Sequence, residues 1–328
     1  MSESTTRRRV TTALGVDIDI IDSGPGPEHT VVLLHGFPET SYSWRHQLEP
    51  LITAGLRVIV PDQRGYGGSS RPDDTARYRA DHLTGDIAAI LDDAEVERAV
   101  VVGHDWGAIV AWHMAQLHPE RCTSVIAASV PWTPWPMPPT ELLRAVHGDD
   151  FFYILHFQEP RIAESEMRED VRRFLLSIIW AAAAEGHATR DTSPVPARGT
   201  TVTEAFEHQS GGRRSGPPPW LSEADLQVYV DQFERSGFNG PVDWYRNFDT
   251  NHELTAPLGA TPITMPTFFV AGSLDPVVHG RGDYLARMDT DLVDHRATVL
   301  IPEAGHWIQQ EAPAEFNRVL LDFIAQSL

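Results

Sequence analysis

Residues Val100 to Ala108 read Val-Val-Val-Gly-His-Asp-Trp-Gly-Ala, three β-branched residues followed by an aspartate with a glycine two positions before it and another two after it. The valine run has no alternation of apolar and polar residues, so the strand it forms is covered on both faces, as strands are in a parallel sheet with helices on either side. Val31–Leu34 and Arg57–Val60 carry the same pattern, and Thr267–Ala271 and Thr298–Ile301 are two further strand candidates near the end. Helical spacing lies between and after these runs: Leu83, Ile87, Ile90 and Leu91 within Asp81 to Asp93, then Ile109, Val110, Trp112 and Met114 within Gly107 to Leu117. Near the end, Phe316, Val319, Leu320 and Phe323 share one face. Strand and helix alternate, which predicts a doubly wound α/β core with a mostly parallel sheet.

That pattern is interrupted. From about Pro131 the strand signals stop, prolines cluster (Pro131, Pro134, Pro136, Pro138, Pro139) and aromatic-rich helical segments take over until about Leu258. We expect core segments over 11–132 and 259–328, separated by a helical cap over 133–258. Within the cap, residues 191–219 are rich in Ser, Thr, Gly, Pro and Arg and predict a long mobile loop. Residues 1–10 are polar and basic with no apolar stretch after them, so they predict a loose tail and no membrane anchor.

The formal charge of −20 on 328 residues sets the surface against polyanions and argues against a nucleic-acid partner. Cys122 is the one cysteine, so no intrachain disulfide forms; it lies in the apolar run to Ala128 and reads as a buried, inert thiol compatible with a reducing cytoplasm. A homodimer is left open.

A strand, a tight small-x-Asp-x-small turn and a helix form the elbow that carries serine in G-x-S-x-G hydrolases, here with Asp105 in the serine's place. The helix N-terminus favours the ionised carboxylate. Read alone, Asp105 could equally cap that helix. As a nucleophile it selects alkylating substrates: a serine attacking an sp³ carbon leaves a stable ether, whereas a carboxylate leaves an ester that activated water can cleave. Two electrophiles fit, an epoxide or a carbon–halogen bond. Downstream, Asp275 follows one strand signal and His306, in Gly305-His306-Trp307, follows the next. The order nucleophile, acid, histidine is that of α/β-hydrolases. The bland alternative for Asp275 is a turn aspartate before Pro276. His35-Gly36-Phe37-Pro38 ends a central strand, where the main-chain N–H groups of Phe37 and Trp106 form an oxyanion hole and His35 fixes the loop. A cis Phe37–Pro38 bond suits that turn.

With these residues in view, the chain resembles the soluble epoxide hydrolases of the α/β-hydrolase fold over nearly its whole length. The motifs that carry the resemblance are His35-Gly36-Phe37-Pro38, Asp62-Gln63-Arg64-Gly65-Tyr66-Gly67, Gly103-His104-Asp105-Trp106-Gly107 and Gly305-His306-Trp307-Ile308-Gln309-Gln310. Two cap segments look like the family's tyrosine sites, Phe152 to Pro160 with Tyr153 and Gly240 to Asn247 with Tyr245. An epoxide oxygen leaves as a basic alkoxide and needs an O–H donor, a task that two phenols meet; without the resemblance, such tyrosines read as cap packing. Ile154 departs from relatives that carry a polar residue after the tyrosine.

The resemblance implies a small hydrophobic epoxide and water as reactants, no cofactor and no metal. Phe37, Trp106, Trp244 and Trp307 are the expected substrate contacts, and Trp132, Trp135, Phe151, Phe152 and Trp180 add aromatic character to the cap and its entry. Haloalkane dehalogenases share the aspartate elbow, but Phe37 offers no side-chain donor for a leaving halide. A third reading is a non-catalytic relative that binds a small ligand in the same pocket, against which the complete Asp105, Asp275, His306 set argues.

Overall fold

The computed structural model describes residues 5–280 and 282–328, with the backbone alone for Tyr284. Its core is an eight-stranded sheet in the order β1-β2-β4-β3-β5-β6-β7-β8. The strands are β1 Thr6–Thr11, β2 Asp17–Asp22, β3 Thr30–Leu34, β4 Arg57–Pro61, β5 Ala99–His104, β6 Cys122–Ala128, β7 Thr267–Gly272 and β8 His295–Ile301. From β4 to β8 neighbours run parallel, while β1 and β2 are antiparallel additions at one edge.

Every residue of β3, β4, β5 and β7 is buried, the burial that uninterrupted apolar runs imply. Ala80–Asp93 and Trp106–Leu117 cover one face, and Pro313–Ser327 covers the other through Phe316, Val319, Leu320 and Phe323. β6 grows from the run that contains Cys122, whose thiol is buried and pushed up to about 12 by that burial. At the outer edge, β8 alternates along its length, with Ala297 and Val299 on the inner face and Arg296, Thr298 and Leu300 in solvent.

Two expectations need correction. The basic N-terminus is not a loose tail from Thr6 onward: Thr6–Thr11 pairs with β2 in full register, and Val10 is buried. Its arginines reach diagonally to β2 carboxylates, Arg7 to Asp19 and Arg8 to Asp22, which turns a run of like charges into cross-strand pairs. Residues 1–4 of the expected tail lie outside the described residues.

Nor is the segment 191–219 loop throughout. It contains the helix Val202–Gln209, opened by a reciprocal capping box between Thr201 and Glu204. Val202, Ala205 and Phe206 are buried, at the i, i+3, i+4 spacing of a helix face. Before that helix, Phe151 N–H donates to Val195 O at 2.7 Å and Ala197 N–H to Asp149 O at 3.0 Å. These bonds pin the segment beside Tyr153.

The helical segments between β6 and β7 run from Pro139–His147 to Phe248–Thr255 and form the cap. Among the described residues, no helix is long and apolar enough to cross a membrane.

Candidate active site

β5 ends at His104 and the next helix begins at Trp106, so Asp105 alone carries the reversal between them. Its backbone sits at φ 53°, ψ −118°, a conformation that costs a residue with a Cβ roughly 1–3 kcal/mol and persists only where the surroundings enforce it. Here they do. A Cβ on Gly103 would run into the Gly107 carbonyl, and one on Gly107 into that of Leu34, so the turn closes only with glycine at both places. The side chain of Asp105 makes no capping bond to the helix, which removes the capping explanation for its presence.

The carboxylate points instead into a ring of polar groups. Phe37 N–H donates to Asp105 Oδ1 at 2.8 Å, and Asp105 Oδ2 lies 3.6 Å from His306 Nε2. Trp106 N–H, in the first turn of its helix, has no acceptor within that helix. Across the imidazole, His306 Nδ1 is 3.1 Å from both oxygens of Asp275. Asp275 also accepts from Val277 N–H at 2.9 Å, so it is a turn aspartate and the partner of His306 at once. The three residues come from the ends of β5, β7 and β8, at the carboxyl edge of the parallel sheet.

Burial opposes charge on His306, yet Asp275 and Asp105 together outweigh it and hold the imidazole well above its ordinary value. For Asp105, burial would raise the carboxyl, but His306, His104 and the Phe37 N–H bring it below the usual range. These opposite shifts favour the charged forms of Asp105 and His306 side by side. With 16% of its side chain exposed, Asp105 is the accessible member, while the side chain of Asp275 is fully buried.

His35 serves the loop: its Nδ1 is 3.0 Å from Gly36 O, and its Nε2 accepts from Gln63 N–H at 3.0 Å. The Phe37–Pro38 bond is cis.

Above the carboxylate, the cap lowers Tyr153, from the short helix Tyr153–His156, and Tyr245, from Asn239–Arg246. Their rings lie 5.8 Å apart. Burial raises both phenols, and the charge of Asp105 raises them further, so each stays protonated through the neutral range. Phe37, Trp106, Phe157 and Phe248 stand around Tyr245 at ring distances of 5.0 to 5.8 Å. A carboxylate, an imidazole and two phenols thus meet within an otherwise aromatic enclosure.

The profile of the alpha/beta hydrolase fold matches residues 29–153. Epoxide hydrolase A of Mycobacterium tuberculosis is 43% identical over 315 residues, 94% of each chain. Epoxide hydrolase B of the same organism is 37% identical over 93% of this chain and 94% of its own. The chain belongs to the epoxide hydrolases of the α/β-hydrolase fold. Solved structures agree: epoxide hydrolase A from Mycobacterium thermoresistibile superposes with a TM-score of 0.87 at 40% identity, covering 98% of both chains. An epoxide hydrolase from an endophytic Streptomyces superposes with a TM-score of 0.89 at 38% identity, covering 99% of this chain and 96% of its own.

Two of the tryptophans expected at the substrate, Trp244 and Trp307, bond their indoles to backbone carbonyls beside the site. Neighbouring helix positions point about 100° apart, so Trp244 cannot share the direction of Tyr245. It is fully buried between Tyr66 and Trp106, with its indole N–H donated to Arg64 O at 3.1 Å. Trp307 backs the His306 ring at 4.9 Å and donates its indole N–H to Ile179 O at 2.9 Å. Both are walls behind reacting groups. Of the other cap aromatics, Trp132 packs on Trp112 and Trp180 bonds to Gly216 O.

Several residues of the site carried no signal that was read from sequence. Phe157 follows Tyr153 at i+4 and could have been placed on its face. Gln158 donates to Ile154 O at 2.9 Å and Tyr245 O at 3.2 Å, joining the two tyrosine helices. Beneath the elbow, Glu39 accepts from Gly36 N–H, Gln309 and Gln310 and sits 2.8 Å from His104 Nδ1, while His104 Nε2 lies 2.8 Å from His306 O. Among the described residues, no group of three or more His, Cys, Asp or Glu is arranged to hold a metal ion.

Proposed function

We propose that this enzyme converts epoxides to vicinal diols through an alkyl ester on Asp105 that is then hydrolysed by water activated by His306. The observation that carries this is the division of labour between the two oxygens of Asp105: Oδ1 accepts the Phe37 N–H, and Oδ2 lies on the side of His306, 3.6 Å from its Nε2. The names of the relatives support the same substrate class.

In the first step Asp105 Oδ2 bonds to a ring carbon, the carbon–oxygen bond of the epoxide breaks, and a phenol of Tyr153 or Tyr245 gives its proton to the leaving oxygen. Esterification removes the negative charge on Asp105, one of the two anions that hold His306 protonated. His306 then gives up its proton, and the phenolate recovers one. In the second step the neutral imidazole, oriented by Asp275, takes a proton from water as the water oxygen bonds to the Asp105 carbonyl carbon. The oxyanion forms at Oδ1, where the Phe37 and Trp106 N–H groups meet it. Collapse breaks the bond to Oδ2, the diol oxygen takes the proton from His306, and the restored carboxyl group returns its own to the imidazole. The aromatic enclosure favours apolar epoxides, styrene oxide among them.

A single turnover in ¹⁸O-water with enzyme in excess over styrene oxide tests the bond to carbon. The first diol released should carry unlabelled oxygen at the attacked carbon, and the label should appear in the Asp105 peptide. A labelled first diol with unlabelled protein would instead make Asp105 a general base.

A further inference from the structure

One half-buried carboxylate that takes part in neither chemical step ties together the loop of the hydrolytic base and the wall of the cap. Glu311 closes the short helix Ile308–Glu311 immediately after His306. Its Oε2 accepts from Gly305 N–H at 2.8 Å and from Ala184 N–H at 3.0 Å, and its Oε1 accepts from Trp307 N–H at 2.9 Å. Gly305 and Trp307 are the two residues on either side of His306. Ala184 belongs to the cap, at the break between Val171–Ala182 and Ala184–His187. The segments lie so close that a Cβ on Gly305 would meet the backbone of Ala182, Ala183 and Ala184.

Two further bonds cross the same junction, His306 N–H to Ala182 O at 2.9 Å and Trp307 Nε1–H to Ile179 O at 2.9 Å. They hold the chain near the cap without Glu311. The first of them also holds the peptide between Gly305 and His306, and His306 O accepts from Ser129 Oγ–H at 2.9 Å, so what Glu311 adds is the hold on the Gly305 and Trp307 N–H groups. The ring-opening groups are anchored elsewhere. Asp105 is held by its own turn and Phe37 N–H, and the Tyr245 helix by Trp244 Nε1–H to Arg64 O and Asn247 Nδ2–H to Thr75 O at 2.7 Å.

We propose that Glu311 is a positioning residue for the hydrolysis half of the reaction, fixing the main chain on both sides of His306 and locking it to the cap without touching substrate. The assignment rests on the two-step reading above. A carboxylate suits the place because three N–H donors converge on two acceptor oxygens. A glutamine amide presents one oxygen and turns an NH₂ group toward at least one of those donors. An aspartate keeps the charge but is one methylene shorter.

The test compares wild type, Glu311→Gln and Glu311→Asp with styrene oxide under single-turnover conditions. Quenched samples are read by intact-protein mass spectrometry, giving separate rate constants for ester formation and ester loss. Rate constants do not depend on the folded fraction, so a partly misfolded variant still reports. In Glu311→Gln, ester formation should stay within about threefold of wild type while ester loss falls about tenfold or more, since small misplacements of a catalytic group carry costs of this order. The covalent adduct should then accumulate at steady state, and Glu311→Asp should recover part of the lost hydrolysis rate. Equal loss in both half-reactions, or an unchanged rate of ester loss in Glu311→Gln, would overturn the assignment. A wild type that forms no ester would overturn the two-step reading itself, and it is measured first.

Discussion

Under the proposed mechanism Tyr153 and Tyr245 face opposite demands, since each would hold its proton in the resting enzyme and release it to an alkoxide. Burial and the nearby Asp105 carboxylate favour the neutral phenol, which satisfies the first demand over the whole neutral range. Replacing both tyrosines by phenylalanine should slow ester formation by about 10²–10⁴-fold, the usual contribution of a positioned acid, and either single change should slow it less. Rapid-quench measurement of the ester in folded protein decides this; a double variant opening the ring at the wild-type rate would place the acid elsewhere. His306 makes a second prediction. Its raised value in the free enzyme depends in part on the Asp105 charge, so esterification lowers it and the ester stage works with a weaker, neutral base. Acid reprotonates that base. Asp105 is held below the ordinary carboxylate range and the phenols above theirs, so ring opening is insensitive over the same interval. The steady-state fraction of esterified enzyme should therefore rise as the pH is lowered from about 9 to about 5. A fraction that rises with pH instead would contradict the role given to His306.

Elements hold these side chains in place, and the helix Val202–Gln209 shows how much a short one contributes. Phe206 on its inner face packs on Tyr153 at 5.6 Å and on Phe174 at 6.4 Å, so the helix forms part of the support behind one phenol. Thr201 caps it by accepting from Glu204 N–H, and Glu204 accepts in return from Thr201 N–H at 3.0 Å. Thr201→Ala should cost the helix about 1 kcal/mol, seen as roughly fivefold faster amide hydrogen exchange across residues 203–209. Unchanged exchange would mean that the cap box contributes nothing there. The sequence of this element was readable: a Thr-x-x-Glu start followed by Val202, Ala205 and Phe206 is a helix signature, although its polar, proline-rich flanks dominate the local composition. β1 was hidden for a different reason. Arg7, Arg8 and Arg9 look like a solvated basic run until the aspartates of β2 stand opposite them.

Across the whole molecule, the features legible in sequence are those that short-range physics dictates. An unbroken apolar run sets a strand covered on both faces, and a glycine on each side of Asp105 sets the elbow; the order of Asp105, Asp275 and His306 along the chain follows the order of strand ends that carry them. These depend on local sterics and hydrophobic periodicity, so the sequence by itself determined the doubly wound core, the interruption by a helical cap and the elbow that carries Asp105, while Tyr153 and Tyr245 were legible only through the family resemblance. What only the tertiary structure decided is direction and partnership across long separations. Trp244 and Tyr245 are adjacent in sequence, yet one is a buried wall bonded to Arg64 and the other reaches Phe37, because helix geometry turns neighbours apart and packing selects which one faces inward. Nothing local marks Glu39 or Glu311 among the 46 acidic residues, yet folding buries the first beneath the elbow and half-buries the second beside His306. Each became significant only when folding brought together N–H donors or histidines from distant segments, since a buried carboxylate is stable only where such partners converge.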